Sequence, residues 1–260
     1  IEDLAVEAGR ALDNIHEFMT ARATAEGLTE IDRLKGEFVS SVSHELRTPL
    51  TVMRGRLQGM LDGVFETNRS EVTRLVAQTD LLARIVEDLR TVTLAEAGRL
   101  DLRWETVGLR ALAAECIEIM GPRLTDSGLR AELYGEAVNV RADRDRLMQA
   151  LFAFLDNAVR YAPNTGVVDI TVSRQESIAS VAVADRGPGL PKGGTELAFQ
   201  GFWRADESRS RALGGSGLGL AVVQAIAFAH GGQARATNRP GGGSTFEIRF
   251  PLNDTRGETG

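Results

Sequence analysis

Apolar residues recur every three or four positions through most of the first hundred residues, and this periodicity restricts the fold more than any other feature. One narrow seam occupies residues 31–64 and a second occupies residues 72–92, a pattern typical of helices in coiled coils and bundles. The polar residues between the seams offer Asn68 or Ser70 as the N-cap of the second helix. Gly98 is suited to end that helix.

Two long helices joined by a short turn predict an antiparallel hairpin over residues 29–99. A single hairpin leaves its apolar seam exposed to water, whereas two copies paired into a four-helix bundle bury both seams. The sequence therefore predicts a homodimer. Residues 1–19 have a helix-like spacing of apolar residues, and a stretch of small residues interrupts it at 20–27. We expect residues 1–28 to be a generic signalling helix or, as a weaker resemblance of residues 1–19 to the closing helix of a GAF-type sensory domain implies, the end of an upstream sensory module.

The pattern changes after residue 100, where short alternating runs predict strands and longer apolar runs predict helices. The strands are expected at 131–134, 138–140, 167–173, 178–184 and 244–250, and the helices at 108–124, 144–161 and 218–230. Two adjacent strands form a hairpin, so the sheet is mixed or antiparallel rather than doubly wound. Residues 186–216 are rich in Gly, Arg, Ser and Asp, and such a long loop is usually functional or disordered. The predicted fold class is α plus α/β.

Composition excludes several classes of function. The net charge of −6 argues against binding of DNA or RNA. Cys116 is the single cysteine and lies in an apolar helical run, so an internal disulfide is impossible and a buried structural thiol is expected. No apolar stretch reaches the roughly 20 residues that span a bilayer. The chain begins without methionine, and we expect a cytoplasmic fragment of a longer protein that is either soluble or membrane-attached.

His44 is one of three histidines, and its surroundings distinguish it. An acid, Glu45, follows directly, and Pro49 should bend the helix just beyond. Taken alone, this histidine is better explained as a satisfied side chain at a helix interface than as a catalytic residue. His16 and His230 lack comparable neighbours, and both are interpreted as structural or surface residues.

A second set of polar residues closes an otherwise apolar helix. Asn157, Arg160 and Tyr161 share one helix face. An amide oxygen suits a hard cation, a guanidinium suits phosphate and an aromatic ring suits stacking. The alternative is a solvated polar face near a helix end.

Glycine-rich segments follow a strand and precede a helix. Asp185 ends the strand 178–184 and is followed by Gly187 and Gly189, so its carboxylate can accept from an exocyclic amine beside a flat ring; the alternative is an ordinary turn. Segment 215–220 precedes a helix, where backbone N–H groups bind phosphate. A flexible turn is the alternative there. A Rossmann motif is excluded because no strand comes directly before it.

In chain order, the motifs His-Glu-x-x-Thr-Pro, Asn-Ala-x-Arg-Tyr, Asp-x-Gly-x-Gly, Gly-x-Gly-Leu-Gly-Leu and Gly-Gly-Ser-Thr-Phe resemble those of two-component sensor histidine kinases over roughly residues 29–252. The resemblance implies a dimeric phosphotransfer hairpin at 29–99, an α/β sandwich of the Bergerat or GHKL type at 100–252, and a disordered tail at 253–260. It further implies ATP and Mg²⁺ as cofactors and a response regulator receiver domain as partner.

The resemblance also implies residue roles. His44 matches the phosphoacceptor, Glu45 the acid that orients the ring and takes its proton, and Thr48 the residue that positions water for dephosphorylating the regulator. In the ATP domain, Asn157 matches the Mg²⁺ ligand, Arg160 a phosphate contact, Tyr161 an adenine neighbour and Asp185 the acceptor for the adenine amine. The remaining implied contacts are Gly187, Gly189, Phe202 and Arg204 of a lid at 190–214, Gly215, Gly217, Leu218 and Gly219 around the phosphates, and Thr245 near adenine.

Two positions depart from the family pattern. Ala153 stands where an asparagine is common one turn before the metal ligand, and Gly201 stands where the lid often has arginine. Both changes predict weaker binding of ATP or Mg²⁺. A nucleotide-binding dimer without phosphoryl transfer is therefore one alternative. A gyrase-like or chaperone-like ATPase is another, but it leaves the His44 helix unexplained.

Overall fold

The structure is a computed structural model that describes residues 40, 42–205 and 217–252. It divides into two units, residues 1–75 and 76–260. The expected signalling helix at 1–28 and tail at 253–260 lie outside the described residues, and so does Gly215.

The first unit contains a long helix, α1, over residues 42–61. Pro49 lies inside it and has no N–H to donate to the carbonyl one turn back, yet the helix continues beyond it. The hydroxyls on both sides bond to the backbone: Thr48 Oγ1 donates to the His44 carbonyl at 3.1 Å and Thr51 Oγ1 to the Arg47 carbonyl at 2.8 Å. Such side-chain bonds to the preceding turn often bend helices.

A tight turn leads from α1 into α2, Arg69–Glu96. The Phe65 ring lies over Gly59, where a Cβ would come within 2.5 Å of the ring. Asn68 is the N-cap, because its Oδ1 accepts from the Glu71 N–H at 3.0 Å. Gly98 follows the end of α2 with φ of 63°, so both predicted boundary residues have the expected roles.

The second unit contains a mixed sheet covered on one face by helices. Its remaining elements are β1 Glu105–Gly108, α3 Leu109–Asp126, β2 Leu129–Gly135, β3 Asn139–Ala142, α4 Arg144–Tyr161, β4 Gly166–Gln175, β5 Ile178–Ala184, α5 Gly194–Leu197, α6 Gly219–Ala229, β6 Gln233–Asn238 and β7 Ser244–Pro251. The strand order is β2-β4-β5-β7-β6, and β1 pairs separately with β3. Strands β2 and β4 are parallel and the other neighbours antiparallel, which confirms the predicted mixed sheet.

The core lies between that sheet and helices α3, α4 and α6. Strand β7 illustrates how it is built: Phe246, Ile248 and Phe250 are buried, and the residues between them are less so. Phe154 of α4 stacks on Phe246 with ring centroids 5.9 Å apart. Cys116 belongs to this core, and burial raises the pKa of its thiol to about 12, so it is the inert structural thiol that was expected.

One buried carboxylate fixes the start of α4. Asp143 is 6% exposed; its Oδ1 accepts from the Arg146 N–H at 3.0 Å and its Oδ2 from the Arg103 N–H at 2.8 Å. Its own N–H donates to Nε2 of buried His230 at 3.0 Å. Burial alone would raise the pKa of Asp143, but the backbone hydrogen bonds from Arg103 and Arg146 outweigh it and the pKa is lowered.

We predict that Asp143→Ala lowers the free energy of unfolding of the second unit by about 2 kcal/mol, since it removes an N-cap and leaves a buried N–H without an acceptor. Urea denaturation followed by fluorescence of Trp104 and Trp203, both in this unit, measures the loss. Because the folded-state pKa is depressed, the carboxylate stabilises the fold above about pH 4 and loses that effect as the pH falls through the folded-state value. The variant should therefore lose less stability on acidification. Asp145→Ala, which removes an exposed acid from the same turn, is the control; equal losses in both variants contradict the prediction.

Candidate functional site

A cavity of about 1220 Å³ in the second unit brings together residues from separate parts of the chain. The predicted site residues on its wall are Asn157, Arg160, Tyr161, Asp185, Gly189, Gly217 and Gly219. Helix α4 supplies the first three from its last turns, as the shared helix face predicted. The loop after β5 and the start of α6 supply the others. The fold therefore joins the two glycine-rich segments and the helix end in one site.

Asp185 anchors one end of the cavity. It is 5% exposed, and its Oδ1 accepts from the Gly187 N–H at 2.7 Å and the Ser244 N–H at 3.2 Å. Burial raises the pKa of this carboxyl, against the opposing effects of those two bonds and of Arg239. No described residue donates a hydrogen bond to Oδ2. A buried carboxylate oriented through one oxygen leaves the other as an acceptor for a ligand amine.

The backbone passes close to Asp185 at two glycines. A Cβ on Gly187 would lie 2.8 Å from the Tyr161 carbonyl oxygen, and one on Gly243 would lie 2.1 Å from the Asp185 carbonyl oxygen. Gly243 also has φ of 96°, a conformation that L side chains rarely adopt. These contacts explain why the segments around Asp185 are rich in glycine, and they keep the carboxylate at the cavity wall.

Three arginines, Arg84, Arg123 and Arg160, lie around Asp156 on the cavity wall. Arg160 Nη1 is buried and has no hydrogen-bond partner among the described residues. Burial lowers the pKa of this guanidinium, and the charges of Arg204 and Arg123 act in the same direction. A buried, unpartnered cation is costly unless it meets an anion. This part of the cavity therefore fits a phosphate group.

The nearest acid to Arg160 is already shared between two other arginines. Asp156 Oδ1 lies 2.6 Å from Arg123 Nη1 and Oδ2 lies 3.3 Å from Arg84 Nη1. The Oδ1 contact is an ion pair whose angles are outside hydrogen-bond geometry, because Oδ1 is also buried without a hydrogen-bond partner. Asp156 thus compensates Arg160 only partly.

Asn157 lines the same cavity. No described residue hydrogen bonds to its side-chain amide, so the amide oxygen can bind a hard cation, with phosphate oxygens and water completing the ligand set. Ala153, one turn earlier, also lines the cavity, and a Cβ on Gly219 would lie 3.7 Å from its Cβ. Among the described residues, no group of three or more His, Cys, Asp or Glu side chains is placed to hold a metal.

The lid motif meets the second glycine-rich segment through the backbone. The Phe202 N–H donates to the Gly217 carbonyl at 3.0 Å, and Phe202 has φ of 66°, which costs on the order of 1 kcal/mol for a non-glycine residue. Gly217 has φ of 69°, and a Cβ there would lie 2.9 Å from the Phe202 Cα. Trp203 lines the cavity, whereas Leu218 is fully buried behind it. Arg204 is close enough to affect the pKa of Arg160.

Thr245 is not on the cavity wall, and the expectation for it needs correction. Ser244 and Phe246 line the cavity, and side chains alternate between the two faces of a strand, so Thr245 points to the other face of β7. Phe246 is buried, which fixes the face of β7 that points inward. Ser244 lies two positions before this phenylalanine and so shares its face, which is the signal in the sequence that indicated Ser244. The sequence reasoning also missed Asp156, Asn238 and Arg239.

The predicted phosphoacceptor lies in the first unit. His44 and Thr48 are exposed on α1 and Glu45 is half-buried. An exposed imidazole is accessible to another domain. His230, in contrast, is buried and structural: it accepts from Asp143 through Nε2, its Nδ1 is 2.8 Å from the Ile226 carbonyl, and burial lowers its pKa.

We predict that Arg160→Met raises the stability of the nucleotide-free second unit by about 1 kcal/mol, because it replaces a half-buried charge, whose buried Nη1 lacks a hydrogen-bond partner among the described residues, with an apolar chain of similar length. The melting temperature, followed by tryptophan fluorescence, should rise by about 2–4 °C. Arg123→Met is the control, since it removes a charge paired with Asp156, and its melting temperature should not rise. A fall in both variants refutes the interpretation of Arg160.

Family models match both units. Residues 34–98 match the His Kinase A (phospho-acceptor) domain, and residues 142–254 match the histidine kinase-, DNA gyrase B- and HSP90-like ATPase. Among curated proteins, signal transduction histidine-protein kinase BaeS of Escherichia coli strain K12 is 33% identical over 229 residues, covering 88% of this chain and 49% of BaeS. This chain therefore spans about half the length of that relative.

Solved structures agree with these matches. Histidine kinase AdeS of Acinetobacter baumannii superposes with a TM-score of 0.70 at 34% identity, over 81% of this chain and 98% of that one. Full-length ShkA in complex with AMPPNP gives a TM-score of 0.61 at 26% identity, over 82% of this chain and 45% of ShkA. None of the described helices is both long enough and apolar enough to cross a membrane. With its phospho-acceptor and ATPase segments in this order, the chain belongs to the two-component sensor histidine kinases.

Proposed function

We propose that this chain transfers the γ-phosphoryl group of Mg²⁺-ATP to His44 and then passes it to an aspartate of a response regulator. The observation that carries the proposal is the pairing of opposite requirements in one cavity. Nη1 of half-buried Arg160 has no hydrogen-bond partner among the described residues, and Asp185 on the same cavity wall has one carboxylate oxygen to which no described residue donates. A nucleoside triphosphate with an exocyclic amine satisfies both. The similar protein ShkA was solved in complex with AMPPNP, which supports nucleotide binding by this chain.

The residues of the second unit would bind and orient the nucleotide. Asp185 Oδ2 accepts from the adenine amine, Tyr161 lies beside the base, and Arg160 donates to a phosphate oxygen. The N-terminus of α6 adds unpaired N–H groups and the positive end of a helix dipole. Asn157 would hold Mg²⁺, which neutralises charge that develops on the phosphate oxygens. Positioning and charge neutralisation supply most of the catalysis in phosphoryl transfer.

The residues of α1 would carry out the transfer. The lone pair of His44 Nε2 attacks the γ-phosphorus, a phosphorus–nitrogen bond forms, and the bond to the bridging oxygen breaks to release ADP. Glu45 orients the ring and takes up the proton from Nδ1, so that the phosphorylated imidazole becomes neutral. Thr48 lies one turn after His44 on the same face, which supports a further role in positioning water to dephosphorylate the regulator.

The proposed domains are a phosphotransfer hairpin at 29–99 and an ATP-binding domain at 100–252, with the hairpin as the dimer contact. Several large apolar residues of α1 and α2 are exposed in one chain, which supports a helical partner: they are Leu50, Leu57, Leu61, Val72, Val76 and Val86. Binding of nucleotide without phosphoryl transfer is the second candidate, favoured by Ala153 and Gly201. Labelling by γ-labelled ATP and the affinity for Mg²⁺-ATP distinguish the two candidate functions.

We predict that γ-labelled ATP labels the chain with a phosphate that is stable to base and labile to acid, and that His44→Gln abolishes the label because it removes the nucleophile. His16→Gln, which changes another of the three histidines, should retain the label. Calorimetry should give the same ATP affinity for His44→Gln as for the unchanged chain. Label on His44→Gln, or none on the unchanged chain, rules the proposal out.

We predict that Ala153→Asn tightens Mg²⁺-ATP binding about fivefold, because an added amide in the cavity contributes roughly 1 kcal/mol of hydrogen bonding or metal coordination. Ala153→Leu has nearly the same shape without the amide and should not tighten binding. Dissociation constants measured with and without Mg²⁺ test this. An equal gain in both variants means that cavity filling explains it; phosphoryl transfer that appears only in Ala153→Asn favours the second candidate.

A further inference from the structure

Two consecutive residues at the end of β6 hold both ends of the segment that contains Asp185. We propose that Asn238 and Arg239 are positioning residues that brace residues 185–190 and thereby set the preference of the site for adenine. The inference deepens the proposed function and depends on it, because it assumes that Asp185 accepts from an adenine amine.

Asn238 holds the far end of this segment. Its Oδ1 accepts from the Leu190 N–H at 2.7 Å, and its Nδ2 donates to the Leu190 carbonyl at 2.8 Å. One planar amide therefore bonds to both backbone groups of a single residue, as the backbone of a neighbouring strand would do. Gly189 passes so close that a Cβ there would lie 3.0 Å from Asn238 Oδ1. The segment cannot move away without breaking both bonds.

Arg239 holds the near end. Its Nη1 donates to the Asp185 carbonyl at 3.1 Å and lies 3.4 Å from Asp169 Oδ2, which also pairs with Arg186 at 3.1 Å. The Arg239 N–H donates to the Gly243 carbonyl at 2.9 Å, in the turn between β6 and β7. The cation is therefore itself fixed on two sides. Its charge also opposes the effect of burial on the pKa of Asp185.

Between these two contacts, the segment orients the carboxylate directly. The Gly187 N–H donates to Asp185 Oδ1, and the Asp185 N–H donates to the Ser244 carbonyl at 2.9 Å. Residues 185–190 belong to no helix or strand of the described chain, so side-chain contacts must replace a regular ladder of hydrogen bonds. Loss of the Asn238 bonds should release Leu190 and Gly189, allow Gly187 to shift, and reduce the fraction of molecules in which Asp185 is correctly aimed.

A comparison of ATP with ITP isolates this effect. Hypoxanthine has a carbonyl where adenine has the amine, so at that position it offers Asp185 an acceptor in place of a donor, whereas the sugar and triphosphate are the same. A brace that acts through Asp185 should therefore matter for ATP and hardly for ITP. A change that merely damages the cavity should weaken both.

We predict that Asn238→Ala raises the dissociation constant of Mg²⁺-ATP about fivefold to tenfold, in line with two lost hydrogen bonds that orient a third, and leaves that of Mg²⁺-ITP within about twofold. In phosphorylation assays its KM for ATP should rise while kcat stays near that of the unchanged chain. Asn238→Asp keeps the acceptor for the Leu190 N–H but repels the Leu190 carbonyl. Its dissociation constant for Mg²⁺-ATP should therefore lie between those of the unchanged chain and Asn238→Ala. It also replaces Asn238→Ala if that variant does not fold.

Thr237→Ala is the matched control. Thr237 is the exposed neighbour on the same strand, and its removal should change neither dissociation constant. If Asn238→Ala weakens the binding of ATP and ITP equally, or weakens neither, the proposed brace is overturned. The proposed function still stands in that case, provided that the unchanged chain binds ATP normally. Failure of the unchanged chain to prefer ATP over ITP overturns the role of Asp185 and the brace with it.

Discussion

The position of the nucleotide cavity depends on the hydrogen bonds around Asp143. This carboxylate begins α4, and α4 ends at Asn157, Arg160 and Tyr161. The Asp143 N–H also bonds to His230, the residue that ends α6, whose first turn carries Gly219. Trp104 and Phe250 pack edge-on against the His230 ring, and burial keeps the ring neutral, so Nε2 remains an acceptor. The far ends of both helices are thus locked together, and helix lengths fix where their cavity ends lie.

Several features in and around the cavity lower the stability of the folded protein. Arg160 has a buried Nη1 without a hydrogen-bond partner in the described chain, Asp185 is a buried carboxylate, and Phe202 has a left-handed backbone. Each feature is individually unfavourable. Arg160 and Asp185 both line the cavity, where a ligand of complementary charge would compensate them, and Phe202 bonds to Gly217 on the same wall; binding to the folded state alone stabilises it. The core elsewhere is ordinary, and the features that are unfavourable in conformation or charge are concentrated at one site. This is the pattern expected of a binding site.

The sequence predicted what depends on local periodicity and missed what depends on pairing between distant strands. The helical repeat placed Asn157, Arg160 and Tyr161 on one face, and the turn chemistry identified Asn68 and Gly98. Strand β6, Gln233–Asn238, went unpredicted because its inward-facing residues are Ala234 and Ala236, and alanine has a weak preference for strands, so the alternation is a weak signal. Without β6 and its register against β7, nothing in the sequence connects Asn238 with Leu190. The error at Thr245 has the same origin, because strand parity is set by what the core buries.

The two departures from the family pattern weaken the phosphate end without removing its chemistry. Mg²⁺ usually retains several waters and needs only one or two protein ligands when phosphate supplies the rest, so Asn157 can serve without an amide at position 153. The family's lid arginine is absent at Gly201, which removes one cation, but half-buried Arg160 keeps a buried Nη1 that has no hydrogen-bond partner among the described residues and is only partly compensated by Asp156, so its charge can act on a phosphate. A cation already neutralised by a carboxylate would contribute far less. We therefore expect lower affinity with phosphoryl transfer retained, rather than a silent nucleotide site.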